Sequence, residues 1–152
     1  MSSTAQRIIR CPDLAREQGW KLVEWCAAQR GEEFSIRFMH SGGEPSAAQE
    51  RLTGILAPFY CGCLDRENLT TPGGRPTRRP TGIWRLNPES MAVLHAHISD
   101  EIFATPSYST AGWFEDFTIY RHKKIMLGVC SHEGALVLGL TEQEHLVALN
   151  NI

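Results

Sequence analysis

The stretch from Trp113 to Leu140 constrains the fold most. Three apolar runs, Trp113 to Arg121, Lys124 to Cys130 and Ala135 to Leu140, are separated only by His122-Lys123 and by Ser131-His132-Glu133-Gly134. Connections this short suit hairpins and leave no room for crossover helices, so the spacing predicts an antiparallel three-stranded meander. Thr141 and Glu144 follow at capping-box spacing and open a last helix that runs to about Asn150.

Upstream, the periodicity alternates between helix and strand. A helix is expected from Asp13 to Gln29, with Leu22, Val23, Trp25 and Cys26 as its apolar stripe and Gly31 as the stop signal. Phe34, Ile36 and Phe38 alternate with polar neighbours and read as a half-buried strand. His40 to Gly43 is a turn. Pro45 suits the first position of a second helix, whose Leu52, Ile55, Leu56 and Phe59 recur at i, i+3, i+4 and i+7. Gly82 to Leu86 is a short strand. Asn87 as N-cap and Pro88 as first helical residue start a third helix with Met91, Leu94, Ile98 and Ile102 on its buried face. Thr105 to Gly112 is a loop. The fold class is therefore α+β: an antiparallel sheet of four to five strands, helices packed on one side, and a C-terminal meander with a final helix.

The chain of 152 residues reads as one domain, 1–152. Residues 64–81 carry three prolines, two glycines and four arginines, with little to bury. A loop of that length inside a compact domain is either mobile or functional. It does not separate two domains, because neither side has a self-sufficient set of strands. Its arginines, among them Arg75, Arg78 and Arg79, lack interleaved aromatics, which weakens any case for single-stranded nucleic acid.

Fifteen basic residues against 17 acidic ones give a net charge of −2, too balanced to suggest a nucleic-acid binder. No apolar run approaches the roughly 20 residues needed to cross a bilayer, so no membrane is expected as a partner. Met1 to Arg10 holds only Ile8-Ile9 as an apolar pair and cannot serve as a signal-peptide core. With five cysteines, an odd count, the natural expectation is reduced thiols and a cytoplasmic location.

Three groups of residues invite a chemical reading. Cys61-Gly62-Cys63 and His95-Ala96-His97 suggest zinc, but two histidines two residues apart on a helix project about 200° apart and cannot share an ion. The C-x-x-C spacing is also missing. No metal and no cofactor is expected. Cys130 and His132, with Glu115 or Asp116 opposite, have the composition of a nucleophilic thiol site. Against that, Cys130 sits among apolar neighbours, His132 lies in a turn, and no glycine-rich oxyanion-hole segment adjoins them. No catalytic residue is assigned, and the chain is not expected to be an enzyme.

The third group is acidic and aromatic: Glu115, Asp116 and Glu133, with Tyr108, Trp113, Phe114 and His132. The meander would bring these toward one edge. Aromatic anchors carry much of the energy of protein interfaces and acids select a basic partner. The bland alternative is a strand edge blunted by charge.

Trp113-Phe114-Glu115-Asp116, Tyr120-Arg121, Met126 to Gly134 and the closing Leu140-Thr141-Glu142-Gln143-Glu144 together resemble the C-terminal part of small bacterial immunity proteins. Such proteins share a role rather than one fold. The resemblance implies an immunity- or antitoxin-like inhibitor that neutralises a cognate protein toxin; many such toxins act on nucleic acid or nucleotides and present a basic cleft. It implies no direct contact with nucleic acid. Two alternatives stand beside it: a small thiol-dependent hydrolase or transferase using Cys130 and His132, and a phage-type anti-defence inhibitor with the same binding physics.

Overall fold

The computed structural model describes residues 3–10, 16–38, 47–64, 81–98, 114–130 and 133–150. Seven strands are β1 (Thr4–Arg10), β2 (Glu33–Phe38), β3 (Tyr60–Leu64), β4 (Thr81–Arg85), β5 (Phe114–Arg121), β6 (Lys124–Cys130) and β7 (Ala135–Thr141). Four helices are α1 (Arg16–Ala28), α2 (Ala47–Leu56), α3 (Pro88–His97) and α4 (Glu142–Asn150). The strands form one antiparallel sheet in the order β1-β7-β6-β5-β2-β4-β3. The α+β class, the β5-β6-β7 meander and the final helix agree with the sequence. The sheet holds seven strands where four to five were expected; the additional ones are β1 and β3, one at each edge.

One face of the sheet carries the core. Phe34, Ile36, Trp84, Phe117, Ile119, Leu127, Val129, Leu136, Leu138 and Leu140 meet Leu22, Val23 and Cys26 of α1, Leu52 and Leu56 of α2, Met91 and Leu94 of α3 and Ala148 of α4 in a single cluster. All four helices therefore cover the same side. On the other face lie buried Ser35, Ile83, Thr118 and Tyr120, with Ser35 Oγ and Tyr120 Oη hydrogen-bonded at 3.0 Å.

Local chemistry sets the element ends. Asn87 caps α3: Ser90 N–H donates to Asn87 Oδ1 at 2.8 Å and Asn87 N–H donates to Ser90 Oγ at 2.9 Å. Thr141 and Glu144 do the same for α4, at 3.2 and 3.0 Å. The stop of α1 falls one residue earlier than the glycine suggests. Arg30 takes the left-handed conformation at φ 67, and Gly31 N–H donates back to the Cys26 carbonyl at 2.9 Å, closing a Schellman turn. Gly31 is needed for a different reason: a β-carbon there would lie 2.9 Å from both the Cys26 carbonyl oxygen and Ile119 Cγ2.

The expected Pro12-Asp13 and Pro45 helix starts, and the loops 65–80 and 105–112, lie outside the described residues. Leu64 and Thr81, read as loop ends, belong to β3 and β4. Among the described residues no helix is long and apolar enough to cross a membrane.

Candidate functional site

The meander fixes where the sequence-selected residues fall. Thr118 pairs with Gly128 across β5 and β6, and Cys130 pairs with Ala135 across β6 and β7. The start of β5, the end of β6 and the start of β7 therefore share one end of the sheet. Asp116, Cys130 and Glu133 are brought to that end.

Asp116 is held in an unusual backbone state. It sits at φ 53, in the left-handed region that few residues other than glycine, asparagine and aspartate adopt. The β2–β5 register explains why. Ser35 pairs with Thr118 but Arg37 pairs with Glu115, so Asp116 and Phe117 together oppose the single residue Ile36. This is a β-bulge, and it is pinned by Thr118 Oγ1 donating to the Asp116 carbonyl at 3.0 Å. Without it, Phe117 could not keep its place in the core while Phe114 pairs with Phe38 at the strand start. Asp116 is partly exposed and Glu133 exposed.

Not every residue of the selected group is placed. Tyr108, Trp113 and His132 lie outside the described residues; Phe114 and Glu115 are described by backbone position alone. For the thiol reading, Cys130 closes β6 as a partly exposed thiol that is in no disulfide. Regular β5–β6 pairing ends two residues short of Asp116 and Cys130, at Thr118 and Gly128. Cys26 is a different kind of thiol. It is fully buried, and burial pushes its pKa up to about 12 despite Arg121 nearby, so it stays protonated and inert.

The histidines of the H-x-H pair both lie on α3 and are exposed, at the helical spacing that forbids a shared ion. His95 instead serves a helix–helix joint. Its ring stacks on Trp20 of α1 with centroids 3.8 Å apart, and Nε2 lies 3.1 Å from Glu24 Oε1. Cys61 is on edge strand β3, with Sγ 3.4 Å from the Phe59 carbonyl. Among the described residues no three histidine, cysteine or acidic side chains are grouped to hold a metal ion.

Sequence reasoning missed the apolar display of α4. This helix buries His145 and Ala148 while Leu146, Val147 and Leu149 are 62, 45 and 36% exposed. A helical wheel drawn on residues 142–150 would have shown three aliphatic residues spread away from the only small apolar position, Ala148. Between α1 and α4 runs an open groove of about 210 Å³ lined by Trp25, Gln29, Gln143, Glu144 and Val147. Its one charged lining residue is already committed, because both Glu144 carboxylate oxygens accept from Arg121.

Compared with protein-family models, with curated proteins and with solved structures, the chain matches none of them.

Proposed function

We propose that this domain works by binding another protein, as an immunity- or antitoxin-like inhibitor that covers or distorts the active site of a cognate bacterial toxin. The observation that carries the reading is the bulged Asp116, set at the same end of the sheet as Glu133. Backbone strain persists only where surrounding structure enforces it, and bulges concentrate where a strand must re-aim a side chain. Here the strain falls on an acid within the acidic-aromatic segment of β5. A partly exposed acid, next in sequence to an aromatic segment, suits a partner with a basic cleft, as many toxins acting on nucleic acid or nucleotides present.

The competing reading, a thiol-dependent hydrolase or transferase built on Cys130 and His132, draws on the same geometry, since Cys130 reaches the same end. A phage-type anti-defence inhibitor would use identical contacts on a different target.

The test is capture of the product of the neighbouring gene by the tagged full chain, followed by size exclusion. A complex with one partner per chain that persists in high salt is expected, with Asp116→Lys plus Glu133→Lys weakening it at least about tenfold. Absence of any complex, or a complex indifferent to both charge reversals, overturns the assignment.

A further inference from the structure

We propose that the chain forms a two-fold symmetric dimer in which β1 pairs antiparallel with β1 of a second copy and the outer flank of α4 packs against its symmetry mate. This does not rest on the inhibitor reading.

The two edges of the sheet are built differently. At β3 the pairing with β4 shifts register between Tyr60 and Gly62, and Gly62 stands at φ 118. Irregularities of that kind blunt an edge against further pairing. At the other edge, β1 pairs with β7 through seven consecutive positions, Thr4 to Arg10, without a shift. It contains no proline and no lysine, and its Ile8 is 72% exposed. Apart from the Ala5 carbonyl, which His145 of α4 meets, such a strand is, among the described residues, an outer row of backbone donors and acceptors, the template for adding another strand.

The same edge is overhung by α4. Glu142 Oε2 meets Arg7 Nη2 at 2.7 Å, and His145 Nε2–H donates to the Ala5 carbonyl at 2.9 Å. At about 100° per residue, Leu149 lies roughly 20° from Glu142 on one side and Leu146 roughly 40° on the other. The flank that leans over β1 is therefore the one that displays Leu146 and Leu149. Val147, about 140° away, belongs to the α1 groove.

A second copy fits both features, because β1 is self-complementary in one register. With the two-fold axis at Ile8, the exposed isoleucines face each other, Arg7 faces Ile9 and Arg10 faces Gln6. An axis at Arg7 would oppose two arginines directly, and like charges directly opposite are destabilising. An axis at Ile9 would set Arg10 against the exposed Ile8 and pair the already half-buried Ile9 side chains instead. Paired residues share a face of the sheet, so both copies keep their helices on the same side and the two α4 flanks meet across the seam. A stable interface needs on the order of 800 Å² from each partner, more than a strand edge offers, and Leu146 and Leu149 add the apolar area beside it. The contact is isologous and closes on itself.

Sedimentation or light scattering of the full chain at micromolar concentration tests this. The expected mass is twice the 17.0 kDa of one chain. Ile8→Lys and, separately, Leu149→Glu should each raise the dimer dissociation constant at least about tenfold, while Tyr60→Lys on the β3 edge leaves it unchanged. Thermal melts of all three confirm that they fold. A monomeric wild-type chain overturns the proposal, and so does a dimer that survives Ile8→Lys combined with Leu149→Glu.

Discussion

Arg121 on β5 grips Glu144 on α4 through two parallel hydrogen bonds, Nη1 to Oε2 at 2.8 Å and Nη2 to Oε1 at 2.9 Å. Glu144 Oε1 also accepts from the Thr141 N–H, and Arg121 Nη1 also donates to the Gln29 carbonyl at 3.2 Å. One bidentate pair thus joins the sheet, the end of α1 and the start of α4. The Arg121 guanidinium holds the Glu144 carboxyl down at about pKa 2, from an ordinary 4.5. The folded value lies below the unfolded one, so the pair stabilises fully above about pH 4.5 and the gain is lost as pH falls toward 2. Urea unfolding should show a loss on the order of 1–3 kcal/mol across that window. In Glu144→Gln the loss should shrink while stability at pH 7 falls by a similar amount. A variant with the wild-type acid profile would show that another carboxylate is responsible.

The β5–β6 hairpin turns through His122 at φ 52 and Lys123 at φ 62, both left-handed. That is the type I′ geometry two-residue hairpins favour, made here from residues with β-carbons, each costing roughly 1–2 kcal/mol relative to glycine in that conformation. Lys123→Gly should stabilise the domain by about 1 kcal/mol, the relief being partly offset by glycine's greater unfolded freedom. The melting temperature should rise by roughly 2–4 °C. A fall instead would mean that the Lys123 side chain makes a contact worth more than the strain.

Opposite that turn, the sheet tolerates no side chain at Gly139. The β5–β6 register shifts between Ile119 and Tyr120, so β6 carries an extra residue at Met126, and a β-carbon on Gly139 would overlap the Ile125 carbonyl oxygen. The obstacle is backbone in the middle of the sheet, which cannot swing aside. Gly139→Ala should cost about 3 kcal/mol or more, whereas Gly54→Ala, in a helix with nothing nearby, should be neutral or stabilising. Chemical denaturation of the pair checks both signs.

What the sequence showed and hid follows from burial. The meander was legible because β7 is buried along nearly its whole length and β6 over Met126 to Val129, with short connections between the strands. Asn87, Pro88, Thr141 and Glu144 were legible because capping is local chemistry. Strands β1 and β3 were not, because an edge strand is held by backbone bonds and needs no apolar alternation; Thr4 to Arg10 has only Ala5 and Ile9 partly buried. The bulge at Asp116 was equally hidden, since it arises from reconciling β5 with β2, a partner far away in sequence. That the start of β5 and the connection from β6 to β7 share one end of the sheet was readable from turn lengths alone, whereas the Trp20–His95 stack needed α1 and α3 to be placed first.

The thiols separate the two functional readings. Cys26 is buried, with its pKa raised to about 12 by that burial, so alkylation at pH 8 should mark it only when the whole domain opens. Cys61 is exposed, with Sγ 3.4 Å from the Phe59 carbonyl, and serves as the accessible reference thiol. Cys130 decides the question. A binding protein needs nothing of it, and a partly buried thiol at a strand end should react no faster than Cys61. A nucleophile activated by His132 would react well ahead of Cys61 at pH 7, and its rate would follow the titration of that histidine. Mass mapping of alkylation against time and pH, in wild type and His132→Ala, reads both behaviours. A Cys130 rate below that of Cys61, unchanged by His132→Ala, supports the inhibitor; a fast rate that His132→Ala abolishes would transfer the assignment to the thiol enzyme.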